Sequence, residues 1–232
     1  MKNLIGWSLA ALLMLLAFQM SGADRTPSKQ VKQPVIDVSY HSGAIDWHMV
    51  NALGIRIVIL KATEGIDLKD KNFASHWKEL KEKNFLRGAY HLYVTEDDPE
   101  TQAHFFIAHA PLEPGDLVPI VDIELIGHGT HGRLYPKVKR FLDVMEAHFH
   151  VKPMIYTSPR FWSAHFKRHF QGYPLWIAEY GVSRPSIPEG WKTWHLWQYR
   201  ENAPVQGVAK GADLSRVNQA LGIWQSLLIP SR

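Results

Sequence analysis

The segment "VPIVDIELIG" at residues 118–127 is an apolar run of the kind that forms a buried strand, but it contains two acids. Side chains alternate in direction along a strand, so Asp122 and Glu124 point to the same side. A carboxylate removed from water is costly unless it is ion-paired, hydrogen-bonded or protonated. Either the two acids belong to a structural ion network, for which Lys61 and Arg87 are candidate partners, or a functional site requires them.

Segments of strand and helix composition alternate along the chain on both sides of this run. Strands are expected at 35–39, 55–62, 86–93, 117–124, 152–158, 175–180, 195–199 and around Asp213, and helices at 46–53, 73–84, 99–110, 135–149 and 159–170. Alternation predicts parallel strands with helices outside them. It stops after Tyr180, where prolines and glycines in "GVSRPSIPEGWKTW" exclude a regular helix, so the last strands must be connected by loops.

This pattern predicts an α/β fold. The favoured architecture is a modified TIM-like barrel, (β/α)5(β)3, with about eight strands and about five helices. An open doubly wound sheet is the alternative. That fold usually has a glycine-rich phosphate-binding turn after its first strand, whereas this chain has "SYHSGAIDW" there.

In a parallel barrel, catalytic groups lie where the strands end at their carboxyl side. Asp37 in "VIDVS" ends the first strand, and Asp213 in "GADLS" is near the last, which is its neighbour in a closed barrel. Together with Asp122 and Glu124, these acids are expected to converge. Packed carboxylates cannot all ionise cheaply, so one stays protonated near neutral pH. A protonated acid beside ionised acids is the arrangement that glycosidic cleavage uses.

A metal site is the other chemistry that this region permits. Asp122, Glu124, His128 and His131 are close in sequence, and hard metals accept carboxylate and imidazole ligands. However, "GHGTHG" is a glycine-rich loop and lacks the fixed ligand spacing of a helix face. The sequence therefore predicts no metal and no cofactor, with a metal-dependent hydrolase kept as an alternative.

The N-terminus predicts export. Residues 1–23 combine Lys2, an apolar stretch and small residues up to Ala23, which is the pattern of a signal peptide. The apolar stretch is short for a full membrane span, so cleavage is favoured over a retained anchor, and no stable membrane insertion is expected afterwards. A polar leader at 24–33 then precedes a single catalytic domain at 34–232. The protein is expected in the periplasm or outside the cell.

Charge and composition exclude other classes. The chain has no Cys, which excludes disulfides, and a formal net charge of +4, of which residues 1–23 contribute one. Lys and Arg are scattered without a basic stripe, so nucleic acid is not expected as a partner. A modest positive excess suits the approach to a polyanionic surface.

Eight segments, in this order, resemble one known family. They are "VIDVSYHSGAIDW", "VILKATEG", "RGAYHLY", "PIVDIE", "PMIYTS", "YPLWIAEYG", "WHLWQY" and "VAKGADLSRVN". They cover roughly residues 34–218 and resemble glycoside hydrolase family 25, the muramidases of the Chalaropsis lysozyme type. The resemblance implies hydrolysis of the β-1,4 bond between N-acetylmuramic acid and N-acetylglucosamine in peptidoglycan glycan strands. We expect a monomer.

The resemblance also implies roles for individual residues. Glu124 would be the general acid and later the base, Asp122 would stabilise the transition state or orient the substrate, and Asp37 would complete the catalytic group. The substrate-binding residues would be Asp213, Tyr156, Gln198, Trp176, Tyr90, Lys61 and Glu179. Members often read "DVSHHQG" where this chain has "DVSYHSG", so sugar contacts near Tyr40 and Ser42 are expected to differ.

Two further functional classes remain open at this point. A non-catalytic protein would bind peptidoglycan through the same groove, and a metal-dependent hydrolase would use the acids as ligands. The stereochemical course is also open. The Cα atoms of Asp122 and Glu124 are expected about 6.6 Å apart on a strand, and side chains can lean enough to give the carboxyl separation of either a retaining or an inverting enzyme. A third route uses the acetamido group of the substrate as the nucleophile.

Overall fold

The computed structural model of the protein describes residues 34–128, 134–219 and 224–231, and these form a closed eight-stranded barrel with five helices around it. The predicted signal peptide at 1–23 and leader at 24–33 lie outside the described residues. No helix in the described part of the chain has the length and apolar character needed to span a membrane.

The elements follow the predicted alternation. The strands are β1 (Pro34–Val38), β2 (Ile57–Glu64), β3 (Leu68–Lys69), β4 (Leu86–Leu92), β5 (Ile120–Asp122), β6 (Met154–Thr157), β7 (Leu175–Ala178), β8 (Leu196–Ala203) and β9 (Ala212–Val217). The helices are α1 (Trp47–Ala52), α2 (Phe73–Glu82), α3 (Pro99–His109), α4 (Leu134–Phe149) and α5 (Pro159–His165). The fold is therefore the predicted modified barrel.

Barrel closure joins the two ends of the domain. The strand order is β1-β9-β8-β7-β6-β5-β4-β2, and β1 also pairs with β2. Within these eight barrel strands all neighbours are parallel except β9, which is antiparallel to both β8 and β1. The short β3 pairs antiparallel with the end of β2. No helix separates β8 from β9, and a short loop can only return the chain antiparallel. The expected adjacency of first and last barrel strands is confirmed, since Asp37 lies opposite Asp213.

Both faces of the sheet are buried, which explains why the strands read as continuous apolar runs. Inward-facing residues fill the barrel, for example Ile59, Ile120 and Met154. Outward-facing residues such as Val121 and Ile155 pack against the helices in a second cluster. Along β5 the alternation continues to the strand end and turns Asp122 inward.

The two largest shortenings relative to prediction are in β5 and α5. The strand β5 is only three residues long, although Ile123 N still donates to Tyr156 O at 3.0 Å, so the backbone pairing continues past its end. The helix α5 ends at His165, five residues early, because Lys167 and Phe170 adopt positive φ angles of 49° and 65°. A left-handed residue interrupts the helical hydrogen-bond pattern.

A structural ion network exists, but it lies elsewhere. The Arg87 side chain donates to Asp116 from Nε at 2.7 Å and to the Trp77 carbonyl from Nη1 at 2.9 Å. It also contacts Glu113, and its guanidinium lies 4.1 Å from the centroid of the Trp77 ring. This network is at the N-terminal end of β4. The interpretation that Arg87 pairs with Asp122 or Glu124 is therefore wrong.

Candidate active site

A pocket opens at the carboxyl ends of the barrel strands, and eight of the ten predicted site residues line it. Its walls are formed by Asp37, Tyr90, Asp122, Glu124, Tyr156, Trp176, Gln198 and Asp213. We call it the acid pocket. It continues into an adjoining depression of about 200 Å³, whose lining includes Asp37, Tyr90 and Asp213 as well. The two together form one cleft across the mouth of the barrel.

The barrel geometry brings the carboxyl groups together. Asp37 and Asp213 are opposite each other on β1 and β9. Asp122 ends β5 and Glu124 follows two residues later, so both point into the pocket. Asp37 and Asp122 are each 8% exposed, whereas Glu124 is half-buried at the more open side. The convergence expected from strand position is present in the structure.

Gln198 holds one side of this cluster in place. Its Nε2 donates to both carboxylate oxygens of Asp37 at 3.0 Å. Its Oε1 accepts from the hydroxyl of Tyr156 at 2.8 Å and from that of Tyr180 at 2.5 Å. A flipped amide would direct its oxygen at the Asp37 carboxylate, so these contacts fix the orientation of the side chain.

Tyr180 was not among the predicted site residues. It lies two residues beyond Ala178 and four beyond Trp176, and both of these face the barrel interior. Counting in steps of two from Trp176 therefore identifies Tyr180 as inward-facing. The predicted strand 175–180 already contained this signal.

The aromatic walls are fixed by their own hydrogen bonds and contacts. Trp176 Nε1 donates to Ser215 Oγ at 3.0 Å, and its ring packs edge-on against Tyr156 with centroids 4.7 Å apart. Because Trp176 is only 2% exposed, it forms the floor of the pocket.

Lys61 and Glu179 do not line the acid pocket. The Lys61 ammonium is paired with Glu64 Oε2 at 2.6 Å, and it is close enough to Asp122 to oppose the rise of that group's pKa. The Glu179 carboxylate instead accepts from Ser186, from the backbone N at 2.5 Å and the hydroxyl at 3.2 Å. It thereby holds the loop that follows β7.

Of the two histidines in the candidate metal set, the structure describes His128, which does not line the acid pocket. His128 is exposed, and His131 lies outside the described residues. Within the ranges that the structure describes, no group of three or more His, Asp or Glu side chains has the arrangement of a metal site.

Crowding and burial raise the pKa of all four acids. Burial is the largest cause for each one. The charge of Asp213 adds to the pKa rise of Asp37 and of Glu124, while the charge of Glu124 adds to that of Asp122. The pocket therefore keeps protons at a pH where isolated carboxyls would lose them.

Asp122 stands out within this group because its Oδ1 is buried and lacks a hydrogen-bond partner among the described residues. A buried acceptor without a donor is a cost that folding normally avoids. An atom of this kind that faces a pocket is available to a donor on a ligand. Asp122 is consequently the position where stability and function are expected to conflict.

Replacing Asp122 with Asn tests this conflict. The pKa of the Asp122 carboxyl is higher in the folded than in the unfolded state, so the folded protein binds its proton more tightly. The stability that this proton contributes is therefore complete below about pH 4 and is lost as the pH rises towards the folded-state pKa. Asp122→Asn removes the buried charge and should raise the free energy of unfolding at pH 7 by about 0.5–2 kcal/mol. Near pH 4 the wild-type carboxyl is protonated, and the difference should disappear.

Urea unfolding of both proteins at the two pH values measures the effect. Asp67→Asn, which makes the same charge change at an exposed site, is the control. A loss of stability on Asp122→Asn at pH 7 would show that the carboxylate is a structural group.

Comparison with known proteins agrees with this geometry. Residues 36–208 match the family model described as glycosyl hydrolases family 25. Lysozyme M1 of Streptomyces globisporus is 29% identical over 196 residues, which cover 79% of this chain and 67% of that protein. An uncharacterised Escherichia coli K12 protein, YegX, is 30% identical over 188 residues, which cover 79% of this chain and 68% of YegX.

A solved structure shows the same architecture. The crystal structure of a bacterial lysozyme from Streptomyces coelicolor superposes with a TM-score of 0.76 at 28% sequence identity, covering 82% of this chain and 93% of that one. The family match thus includes every residue of the acid pocket except Asp213.

Proposed function

Because this chain belongs to glycosyl hydrolase family 25, we propose that it cleaves the β-1,4 bond between N-acetylmuramic acid and N-acetylglucosamine in peptidoglycan. The chain is a glycosidase, and its family and lysozyme relatives support a peptidoglycan hydrolase. The observation that carries the proposed reaction is the convergence of Asp37, Asp122, Glu124 and Asp213 on one cleft.

Glu124 is the group best placed to donate a proton. It is half-buried at the open side of the pocket, where a glycosidic oxygen can reach it. Its pKa is raised by burial and by the charges of Asp213 and Glu201, so it holds a proton towards neutral pH. We assign it the role of general acid during bond cleavage and of general base when water attacks.

Asp122 is suited to hold the acetamido group of the substrate. Its free, buried Oδ1 would accept a hydrogen bond from the amide N–H, which sharpens the nucleophilic character of the amide oxygen. That oxygen attacks the anomeric carbon while the glycosidic C–O bond breaks and Glu124 transfers its proton to the leaving oxygen. Water then opens the cyclic intermediate and returns the proton to Glu124. Substrate-assisted cleavage is a known alternative to two-carboxylate schemes.

The remaining residues position these two. Asp37 is held by Gln198 beside the reacting centre, with Asp213 behind it. We assign Tyr90, Tyr156, Trp176 and Gln198 to substrate binding as pocket walls, and Lys61 and Glu179 to the support of Asp122 and of the loop after β7. We also propose export through residues 1–23 and action as a monomer.

Digestion of purified peptidoglycan, with and without a chelator, separates the candidate functions. The muramidase should create new reducing ends that carry N-acetylmuramic acid, at the same rate in both conditions. A non-catalytic binding protein would create no new reducing ends. A metal-dependent hydrolase would lose its activity when the chelator is present.

The stereochemical course tests the proposed role of Asp122. Attack by the acetamido oxygen followed by water gives two inversions at the anomeric carbon, so the first product seen by proton NMR should be the β-anomer. An initial α-anomer would rule out both acetamido participation and double displacement by an enzyme carboxylate.

A further inference from the structure

A second pocket, larger than the acid pocket, lies at the opposite end of the barrel. It has a volume of about 520 Å³. Its lining includes Val118, Lys152, Pro174 and His195, which lie one or two residues before the first residues of β5, β6, β7 and β8 in turn. These four neighbouring strands are parallel, so the pocket is at their amino ends. We call it the basal pocket.

Two lysines and a histidine supply the basal pocket with hydrogen-bond donors. Lys152 and Lys192 line it, and neither forms an ion pair with another described residue. His195 Nδ1 accepts from the backbone N of Leu175 at 3.1 Å, so in the neutral ring Nε2 carries the hydrogen. Three cationic or donating side chains therefore share this pocket.

Carboxylates do not offset these donors. No Asp or Glu is among the described residues that line the pocket. Two nearby acids already have partners of their own. Glu146 accepts a hydrogen bond from the hydroxyl of the lining residue Tyr173 at 3.1 Å, and Glu189 forms an ion pair with Arg168 at 2.5 Å. The basal pocket is thus electrostatically opposite to the acid pocket.

The walls between the donors are apolar and rigid. Val118, Val151, Tyr173, Pro174 and Trp191 supply them. Trp191 Nε1 donates to the Tyr173 carbonyl at 2.8 Å, and the Lys152 ammonium lies 5.1 Å from the centroid of the Tyr173 ring. The volume is within the range of about 300–1,000 Å³ that is usual for ligand sites. Flat apolar walls with donors at the edge suit a sugar that carries an anionic group.

We propose that the basal pocket binds a carboxylate-bearing segment of a second peptidoglycan strand. This inference rests on the proposed function, because the substrate polymer supplies the ligand: the stem peptides on its muramic acid residues carry free carboxylates. The two pockets are at opposite ends of the strands, so one segment cannot occupy both. Binding here keeps the acid pocket near its substrate by raising the effective concentration.

The test uses sacculi that contain no secondary wall polymers, and proteins that carry Glu124→Gln to prevent digestion during the binding measurement. Lys152→Ala with Lys192→Ala should weaken cosedimentation by about 5- to 10-fold, as expected for the loss of two charge contacts made by exposed lysines. The matched control is Lys78→Ala with Lys139→Ala, which removes the same charge from exposed helix positions. Methylamidation of the sacculus carboxylates should lower binding of the parent protein to the level of the pocket variant.

When Glu124 is left unchanged, the protein that carries Lys152→Ala and Lys192→Ala should hydrolyse a short soluble glycan at the same rate as the unsubstituted protein. The inference is overturned if the pocket variant binds sacculi as well as the control, if amidation changes nothing, or if soluble-substrate turnover falls in parallel with binding. Failure of the proposed function is distinct, since the unsubstituted protein would then release no reducing ends from any substrate.

Discussion

Replacing Glu124 with Gln is expected to lower the rate of peptidoglycan hydrolysis by about 10²–10⁴-fold, the usual contribution of a general acid. The amide has nearly the same shape as the protonated acid but cannot transfer a proton to the leaving oxygen. Glu124 makes no ion pair or side-chain hydrogen bond with another described residue, so the substitution should not disturb the fold. Release of reducing ends measures the rate, and circular dichroism checks the fold.

Glu201→Gln is the matched control for this result. Glu201 is an exposed acid close enough to raise the pKa of Glu124, but it does not line the acid pocket. Its replacement should change the rate by only a few-fold. It should also move the alkaline limb of the pH profile to lower pH, because that limb reports loss of the Glu124 proton and the charge of Glu201 raises the pKa of Glu124. Asp122→Asn should be impaired, though less than Glu124→Gln. A near-normal rate for Glu124→Gln would show that Glu124 is not the general acid.

Replacing Arg87 with Met is expected to lower the free energy of unfolding by about 3–5 kcal/mol, because it leaves a buried carboxylate without its counter-ion. Arg87 is 4% exposed and Asp116 is 6% exposed, and they are joined at 2.7 Å. The substitution also removes the donor to the Trp77 carbonyl and the cation–π contact with its ring. For a domain of this size the midpoint of thermal unfolding should fall by about 6–20 °C.

Thermal and urea unfolding followed by far-ultraviolet circular dichroism measure this loss. Arg140→Met is the control, since Arg140 pairs with Glu100 at 2.6 Å on the surface. It should shift the midpoint far less. Equal shifts in the two variants would show that the buried network contributes no more than a surface pair. The additional change Asp116→Asn should recover part of the loss, because it removes the unpaired charge.

The acids of the site were predictable because strand geometry is local. The period of two along β5 turns Asp122 and Glu124 to one side, and parallel strands place their carboxyl ends at one rim. Predicting that Asp37 and Asp213 are neighbours required one further assumption, that the barrel closes. Both steps use the chain near each residue and the general rule for barrels, so they did not depend on side-chain packing.

Contacts between distant segments were not predictable in the same way. The partners of Arg87 and Glu179 come from loops whose paths the sequence does not specify, and both acidic and basic residues were available at several places. The shared hydrogen bonds of Gln198 depend on three strands being in register at once. The basal pocket was also missed, because its residues are separated in sequence and carry no motif.

The position of β9 between β1 and β8 has a consequence for biosynthesis. The amide of Gln198 and the carboxylate of Asp37 meet across 161 positions of chain, and Asp213 arrives later still. Contacts with such long sequence separation form late, since they require the intervening chain to be ordered first. A nascent polypeptide that has not yet delivered its last strand has no assembled acid group. The acid group is therefore complete only once the cylinder has closed.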